Sequence, residues 1–390
     1  MYGPVEAPGE AARLDNMRIT PPPPSARRER RYALRALLWE FSQVKRCKGC
    51  GRWMTGTIAG VRHSEANGAG FSGIQSCGSV WVCPVCSAKI MARRSVETGV
   101  LLLGWENRGG RLVFGTLTMR HNRGHSLVQE WDALQAAWNS VLRSRVWSKW
   151  KKRLGSPGLV KVVEVTYGWD NGWHVHIHFV LLVDGTVTAE DEAELAVWLF
   201  PKWHRALVAQ GMPGAQAVGQ KLELVESVEA ATRFGEYFTK GTAYGSPESI
   251  GRELFSSWSK SARGVHSTEP VWRLIEEFAV TGDLALLGLW HEMERVSRGR
   301  KQMNVSQGLR ELLHMEPEKS DEEIAAEEAG DRDLVQISRE GWHQVLASPW
   351  PASRILDVME SEGVDGVCRF LEAEGIEHWE VQNDGKESER

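Results

Sequence analysis

Residues 164–182 read EVTYGWDNGWHVHIHFVLL and predict the centre of the fold, a β-hairpin. Two β-rich runs, Leu159 to Thr166 and Trp173 to Val183, flank the residues 168–172. Those five residues contain glycine, aspartate and asparagine, which are strong turn formers. The sequence therefore predicts two long antiparallel strands joined by a tight turn.

The second strand of this hairpin carries three histidines, His174, His176 and His178. Successive side chains of a strand point to opposite faces, so the three imidazoles share one face. Imidazole is a good ligand for divalent ions, which makes this face a candidate metal site, although a solvated polar face is the alternative. Antiparallel pairing around the turn puts Glu164 opposite His174 or His176, where it could supply an oxygen ligand or be an ordinary edge-strand carboxylate.

Other strands and helices alternate along the chain around the hairpin. Apolar periodicity predicts strands over residues 111–119 and 220–225 and helices over residues 126–150, 189–210 and 228–239, with further helix after residue 268. Strands separated by helices, with at least one antiparallel hairpin, indicate an α+β sandwich. We therefore expect one sheet with helices packed on it.

The helix over residues 228–239 contains Tyr237, and Lys240 follows three residues later in the sequence GEYFTKG. Residues at this spacing share one face of a helix. A nearby ammonium group and a metal-polarised phosphate both favour the phenolate, so phosphoryl transfer to Tyr237 is feasible. The Tyr-x-x-Lys spacing alone has little value and gains weight only from the histidine strand upstream.

Five of the six cysteines lie close together in a glycine-rich segment with little apolar periodicity. Two pairs have the two-residue spacing that is typical of tetrahedral zinc sites. Redox chemistry and free core thiols are the alternatives. We expect a structural Zn²⁺ site here, with His63 as a spare ligand and the cysteine candidates Cys47, Cys50, Cys77, Cys83 and Cys86.

The formal net charge is only −4, but the charges are unevenly distributed. Residues 142–154 carry six cations and no anion, whereas residues 316–333 are dominated by carboxylates. The basic stretch could track nucleic-acid phosphates. Trp147 and Trp150 could stack on bases or anchor the helix. The candidate DNA-binding residues are Arg143, Arg145, Lys149, Lys151, Lys152 and Arg153.

No apolar run approaches the roughly 20 residues that a membrane-spanning helix needs. The first residues also lack the basic-then-apolar layout of a secretory signal, so we expect a cytoplasmic location in which thiols stay reduced. The predicted units are a disordered Pro/Arg-rich arm (1–40), a zinc-binding module (41–105), a catalytic domain (106–250), a helical extension (251–312), and an acidic linker with a small helical appendage (313–390).

Four motifs in this order give the chain a resemblance to a known family. They are SGIQSCGSVWVCPVCSAKI (72–90), FGTLTMRH (114–121), the hairpin sequence 164–182, and GEYFTKG (235–241). Over roughly residues 40–310 the chain resembles the rolling-circle replication initiators of small actinobacterial plasmids. These proteins are members of the HUH (His-hydrophobic-His) endonuclease superfamily.

The resemblance implies a five-stranded antiparallel sheet with the metal-binding histidines on a central strand and the tyrosine helix above it. It favours His176 and His178 as the ligands of a catalytic Mg²⁺ or Mn²⁺, with His174 as third ligand or neighbour. For zinc it favours the cysteines at 77, 83 and 86 together with one of the first pair.

The implied activity is site-specific nicking of plasmid origin DNA that is single-stranded or in a hairpin. Tyr237 attacks one phosphodiester and leaves a 5′-phosphotyrosine link and a free 3′-hydroxyl, and Lys240 steadies the phosphate or lowers the tyrosine pKa. The expected partners are the origin DNA and a host helicase and polymerase.

One position departs from the family pattern. Some relatives carry a glutamate one helical turn before the tyrosine, which activates water for the terminating cut, and this chain has Arg233 there. Glu229 and Glu236 are possible substitutes, and Tyr244 is a possible second nucleophile.

Two other functions with the same chemistry are a relaxase and a single-strand transposase. The cysteine module and the order of the motifs favour replication over both. From another class, the chain could be a non-enzymatic zinc-dependent DNA-binding regulator. A cupin-like metalloenzyme is disfavoured because the many evenly spaced short strands of a jelly roll are missing.

Overall fold

The computed structural model describes residues 24–65, 67–225, 269–348 and 350–381. Within these ranges no helix is both long enough and apolar enough to cross a bilayer. The strands are β1 Ile58–Ser64, β2 Gly68–Ser72, β3 Arg111–Leu117, β4 Leu159–Gly168, β5 Gly172–Val183, β6 Lys221–Val225, β7 Glu269–Pro270, β8 Met303–Val305, β9 Val335–Ser338 and β10 His378–Glu380. The helices are α1 Pro24–Phe41, α2 Lys45–Gly49, α3 Pro84–Glu106, α4 Leu127–Leu142, α5 Arg145–Arg153, α6 Ala189–Val208, α7 Trp272–Thr281, α8 Leu284–Ser297, α9 Leu309–Leu312, α10 Asp321–Ala326, α11 Arg339–Ala347 and α12 Ser353–Ala373.

The larger sheet is antiparallel and has the strand order β6-β3-β5-β4-β7, with β8 also pairing on β4. It therefore has six strands within the described ranges, where the resemblance implied five. The strand β8 lies in a region that was predicted to be helical, and its three residues are too few to show a period-two pattern. The histidine strand β5 lies in the interior of the sheet, between β3 and β4.

The hairpin predicted from residues 164–182 is confirmed as β4 and β5. Its register pairs Glu164 with His176 and closes at Gly168 and Gly172. Gly172 has a φ of +79°, a left-handed conformation that glycine adopts without steric cost. A shift by one residue would move every imidazole to the opposite face of the sheet. Because both strands are almost entirely buried, that exchange of side chains would disrupt packing, and burial therefore fixes the register.

The two faces of the larger sheet pack against different helices. The face opposite the imidazoles is covered by α4, whose Trp138 ring lies 5.4 Å from the ring of Phe179. On the imidazole face, Thr98 Oγ1 of α3 lies 3.5 Å from Met303 Sδ. Met303 pairs with Val162 and so shares that face, at the end far from the turn. The imidazoles occupy the remaining part of this face, nearer the hairpin turn.

The helix predicted over residues 126–150 is two helices. The first, α4, begins with a capping box formed by Ser126 and Gln129. Ser144 then caps the second helix, α5, by accepting a hydrogen bond from the backbone N–H of Trp147. A serine that caps a helix in this way competes with continuation of the preceding helix. The basic stretch therefore lies mostly on a short helix of its own.

A second sheet joins the cysteine region to the C-terminal residues. Its strand order is β10-β9-β1-β2, every pair is antiparallel, and Gly60 of β1 pairs with Gln336 of β9. Val61, Ile337 and Trp342 belong to one buried cluster to which α11 and α12 contribute side chains. The C-terminal region was predicted to be helical, and the structure adds two strands to it. Their partner β1 is distant in sequence, so local patterns could not reveal the pairing.

The acidic residues 316–333, predicted to form a linker, lie against cations of the cysteine region. Asp321 contacts Arg94 at 3.1 Å, and Asp333 contacts Arg62 at 2.6 Å. Arg94 is buried, so its charge requires a partner. These carboxylates therefore attach the C-terminal region to the cysteine region.

The helix α1 occupies part of the segment that was predicted to be a disordered arm up to residue 40. Its Arg28 contacts Asp357 at 2.8 Å and Glu360 at 2.6 Å, both on α12. Composition alone could not reveal these contacts, because the partners of Arg28 come from the other end of the chain.

Glu130 of α4 gives a pH-dependent stability prediction. Its side chain is fully buried, and burial raises the pKa of the carboxyl to about 9, with a smaller contribution in the same direction from Glu292. Between the unfolded pKa near 4.5 and the folded pKa, unfolding releases the proton, so stability falls as pH rises through this window. Glu130→Gln should remove that loss and raise the free energy of unfolding by about 1–3 kcal/mol at pH 8.

The measurement is urea unfolding of both proteins at pH 5 and pH 8. The advantage of the glutamine variant should grow from pH 5 to pH 8. An equal difference at the two pH values would contradict a buried, protonated Glu130.

Candidate functional site

Glu164, His176 and His178 converge on one point of the larger sheet. Glu164 Oε2 lies 3.0 Å from His176 Nε2 and 3.1 Å from His178 Nε2, and the two Nε2 atoms are 3.0 Å apart. All three residues are buried, each with 6% of its surface exposed. The cross-strand pairing of Glu164 with His176 puts the carboxylate on the imidazole face. We call these three residues the triad.

The triad has the dimensions of a metal site. Three donor atoms about 3 Å apart match one triangular face of an octahedron with metal–ligand distances of about 2.1 Å. Hydrogen bonds alone do not explain why these three donor atoms lie so close together. If both imidazoles donate to Glu164, their two N–H groups face each other without an acceptor between them. A cation shared by the three atoms removes this conflict, so these residues could hold a divalent ion.

His174 lies beside the triad, and its ring nitrogens are outside the converging set. Its ring stacks on that of His176 with 4.6 Å between centroids, and on the ring of His121 at 4.9 Å. Of the two roles that the resemblance allowed for His174, the geometry favours the neighbour, and Glu164 is the third member of the converging set. The sequence did not single out His121, because the loop that carries it meets β5 only in the folded chain.

Thr116 orients one of the triad imidazoles. Its Oγ1 lies 3.0 Å from His178 Nδ1, and the β3–β5 register pairs the two residues directly. A hydrogen bond at Nδ1 fixes the tautomer that leaves Nε2 free to bind a metal. Sequence reasoning missed Thr116 because the pairing of β3 with β5 is not local. The signal that could have found it is the alternation of β3, which puts Thr116 on one sheet face with Phe114.

The predicted nucleophile Tyr237 and its neighbour Lys240 lie outside the described residues. The same holds for Arg233 and for the alternatives considered for the terminating cut, Glu229, Glu236 and Tyr244.

The second cluster consists of Cys50, Cys77, Cys83 and Cys86, all of them buried. The Sγ atom of Cys50 lies 3.6 Å from that of Cys83 and 3.5 Å from that of Cys86, and the Cys77 and Cys86 Sγ atoms are 3.7 Å apart. Four thiolates around zinc at about 2.3 Å form a tetrahedron with edges of about 3.8 Å. The four cysteines therefore fit a tetrahedral metal site.

The cluster selects one cysteine of the first pair. Cys50 belongs to it, whereas Cys47 is buried nearby but outside the converging set of four. His63 is exposed on β1 and is not part of the cluster.

Two of the cluster cysteines begin α3. Cys83 is the N-cap residue of this helix, and Cys86 lies in its first turn. Burial raises the pKa of the Cys83 thiol, whereas hydrogen bonds from Cys50 and Cys77 hold the pKa of Cys86 well below its usual range. The thiolate is the form of cysteine that binds metals, and the positive end of a helix dipole favours it. The cluster therefore anchors the helix that covers part of the imidazole face.

The basic helix α5 lies on the other side of the molecule from the triad. Its Trp147 is buried and stacks on Trp198 of α6 at 6.2 Å, so this residue anchors the helix. Arg153 is held by Asp191 at 2.7 Å and by Glu194. Because α4 packs on the face opposite the imidazoles and contacts both α5 and α6, the basic helix belongs to that helical layer. The remaining candidates on or beside it are exposed or half-buried: Arg143, Arg145, Lys149, Lys151 and Lys152.

The Thr116 contact gives a prediction about metal affinity. Thr116→Val removes the hydrogen-bond partner of His178 Nδ1 while keeping the side-chain volume, so the affinity of the triad for Mn²⁺ should fall about 10- to 100-fold. Isothermal titration calorimetry measures this change. The control is Thr118→Val, because the Thr118 hydroxyl donates to the Gly219 carbonyl and not to a histidine. Unchanged affinity in the Thr116 variant would contradict its orienting role.

The choice between Cys50 and Cys47 gives a second prediction. Cys50→Ser should lose bound zinc, because it removes one of the four thiolates, and Cys47→Ser should retain about one zinc per chain. Elemental analysis of the purified proteins measures the metal content. The reverse result would assign the ligand position to Cys47.

Comparison with known proteins identifies relatives over most of the chain. Residues 73–199 match the Rep_1 family model, described as replication protein. The chain is 28% identical over 355 residues to "Protein rep" of Streptomyces lividans, covering 75% of this chain and 76% of that protein. It is 30% identical over 182 residues to "Neomycin resistance protein" of Streptomyces cyanogenus, covering 36% of this chain and 41% of that protein.

No solved structure matches the chain significantly. The family match spans the last three cluster cysteines and all three triad residues. Together with the match to the Streptomyces lividans protein, it confirms the resemblance to plasmid replication proteins that was drawn from the sequence.

Proposed function

We propose that this replication protein starts rolling-circle replication by nicking and rejoining one DNA strand at a plasmid's double-strand origin. In the proposed reaction the Tyr237 oxygen attacks a phosphodiester, gives up its proton, and forms a 5′-phosphotyrosine bond as the 3′ oxygen leaves. The released 3′-hydroxyl is the primer that a host polymerase extends while a host helicase separates the strands. Because one phosphate ester replaces another, the step is reversible and the strand can be resealed.

The observation that carries this proposal is the geometry of the triad. Glu164, His176 and His178 present three donor atoms about 3 Å apart on one side of a buried site. A divalent ion held by these three donors would still have coordination positions for water and phosphate oxygens. Mg²⁺ or Mn²⁺ bound there would polarise the scissile phosphate as a Lewis acid. The mixed nitrogen and oxygen ligands suit an ion that must also bind phosphate.

The role of Tyr237 rests on the sequence and on the strands that flank it. The chain that carries Tyr237 and Lys240 leaves the larger sheet at β6 and returns to it at β7. Both ends of this segment are therefore attached to the sheet that contains the triad. A lysine one helical turn from the tyrosine would favour the phenolate and contact the phosphate.

We also propose that the larger sheet is the core of an HUH endonuclease fold and that the cysteine cluster holds a structural Zn²⁺. An antiparallel sheet with the two triad histidines on an interior strand supports the first proposal. The tetrahedral spacing of the four sulfur atoms supports the second.

The test is a nicking assay on supercoiled plasmid that carries the origin of the encoding replicon. With Mn²⁺, wild-type protein should give open circles with covalently attached protein, and Tyr237→Phe should lose both products because phenylalanine has no nucleophilic oxygen. The control is Tyr244→Phe, which should still nick. Nicking by the Tyr237 variant at the wild-type rate would assign the nucleophile to another residue.

The same assay separates the competing functions. A DNA-binding regulator would bind the plasmid without cutting it. A relaxase or a transposase would cut at a transfer origin or an element end, and primer extension on the nicked product identifies the position.

A further inference from the structure

A basic and aromatic rim lies around the turn end of the β4–β5 hairpin, whose strands carry the triad. We define the rim as Arg120 and Arg123, on the loop after β3, together with Trp169 at the turn of the β4–β5 hairpin. Both arginines are exposed, and Trp169 has 39% of its surface exposed. Neither guanidinium forms an ion pair or a side-chain hydrogen bond within the part of the chain that the structure describes. By contrast, Arg153 of the basic helix α5 is held by two carboxylates.

The loop that carries the two arginines is held in place against the hairpin. His121 Nδ1 lies 3.1 Å from the carbonyl oxygen of Asn171, and the backbone N–H of Arg120 donates to the carbonyl of Gly214 at 2.8 Å. The loop also packs on Gly172, where an added Cβ would lie 3.0 Å from the Arg123 Cα. Such contacts preorganise a surface loop, which lowers the entropic cost of binding.

The rim is connected to the triad through stacked imidazoles. His121 stacks on His174 with 4.9 Å between ring centroids and an interplanar angle of 14°, and His174 stacks on His176 at 4.6 Å. Because His121 follows Arg120 directly in the chain, the rim begins two rings away from a triad ligand.

The indole of Trp169 is supported by aromatic side chains on the hairpin face opposite the imidazoles. The Tyr167 ring meets it edge-on at 5.6 Å, and Tyr167 in turn meets the buried Trp173 edge-on at 5.1 Å. A large aromatic side chain that is anchored on one side and exposed on the other suits stacking with an unpaired base. Asp170, next to Trp169 in the chain, carries one carboxylate, so the two arginines of the rim outnumber the anion beside them.

We propose that the rim binds the unpaired DNA strand next to the cleavage site, with Arg120 and Arg123 on phosphates and Trp169 stacked on a base. This inference rests on the proposed nicking function, because it assigns the surface that guides the strand to the triad. It assigns strand contact at the cleavage site to the loop after β3 and the hairpin turn rather than to α5.

The test measures binding of the full-length protein to a fluorescein-labelled single-stranded oligonucleotide containing all four bases. Fluorescence anisotropy is recorded over a range of salt concentrations in EDTA, so that cleavage does not occur. The double variant Arg120→Gln with Arg123→Gln loses two phosphate contacts. The slope of log K against log salt should therefore become shallower by about 1.4. Trp169→Leu should weaken binding about 5- to 100-fold without changing the slope.

Two controls are matched to these variants. The double variant Arg354→Gln with Arg369→Gln removes the same charge from exposed positions on α12 and should keep the wild-type slope. A duplex probe should bind the Trp169 variant as tightly as wild type, because paired bases cannot stack on the indole.

Wild-type salt dependence in the Arg120 and Arg123 variant would overturn the proposal. Wild-type affinity of Trp169→Leu for single strand would also overturn it. Because binding is measured without metal, the result is independent of cleavage. If the wild-type protein binds through the rim but never nicks, only the proposed function is refuted. If the wild-type protein nicks and the rim variants bind single-stranded DNA normally, only this inference is refuted.

Discussion

The register of the β4–β5 hairpin is the constraint on which the candidate site depends. Side chains alternate between the faces of a strand, so the pairing of Glu164 with His176 brings a carboxylate and two imidazoles to one point. Both strands are buried, and a slip of one residue would turn the imidazoles to the opposite face, away from Glu164. The same burial that stabilises the sheet therefore also assembles the triad.

The rest of the molecule supports this arrangement from several directions. The strand β3 supplies Thr116 to His178, and the loop that follows it supplies His121 to the imidazole stack. The cysteine cluster anchors the start of α3, which covers the far end of the imidazole face. Attachment of the C-terminal region through β9 and the carboxylates of residues 316–333 ties the cysteine region to the other end of the chain. The strand β5, which carries the triad histidines, is thus held between β3 and β4.

The sequence predicted the parts of the fold that depend on local pattern. The β4–β5 hairpin, the helix α6 and the short strand β6 follow from alternation and periodicity over a few residues, and so does the placement of Glu164 near His176. Pairings between distant segments could not be predicted, such as Thr116 with His178 or Gly60 with Gln336. For the cysteine cluster, spacing indicated a metal site, but only the fold distinguishes Cys50 from Cys47. The helix α1 lies within the segment predicted to be an arm, and the partners of its Arg28 lie on α12.

The central claim is that the triad binds a divalent cation, and it is tested most directly by crystals grown with Mn²⁺. Anomalous diffraction locates manganese independently of any interpretation of the protein density. The account predicts one strong peak within about 2.0–2.3 Å of Glu164 Oε2, His176 Nε2 and His178 Nε2. A crystal with manganese bound elsewhere and the three side chains merely hydrogen-bonded to one another would contradict it.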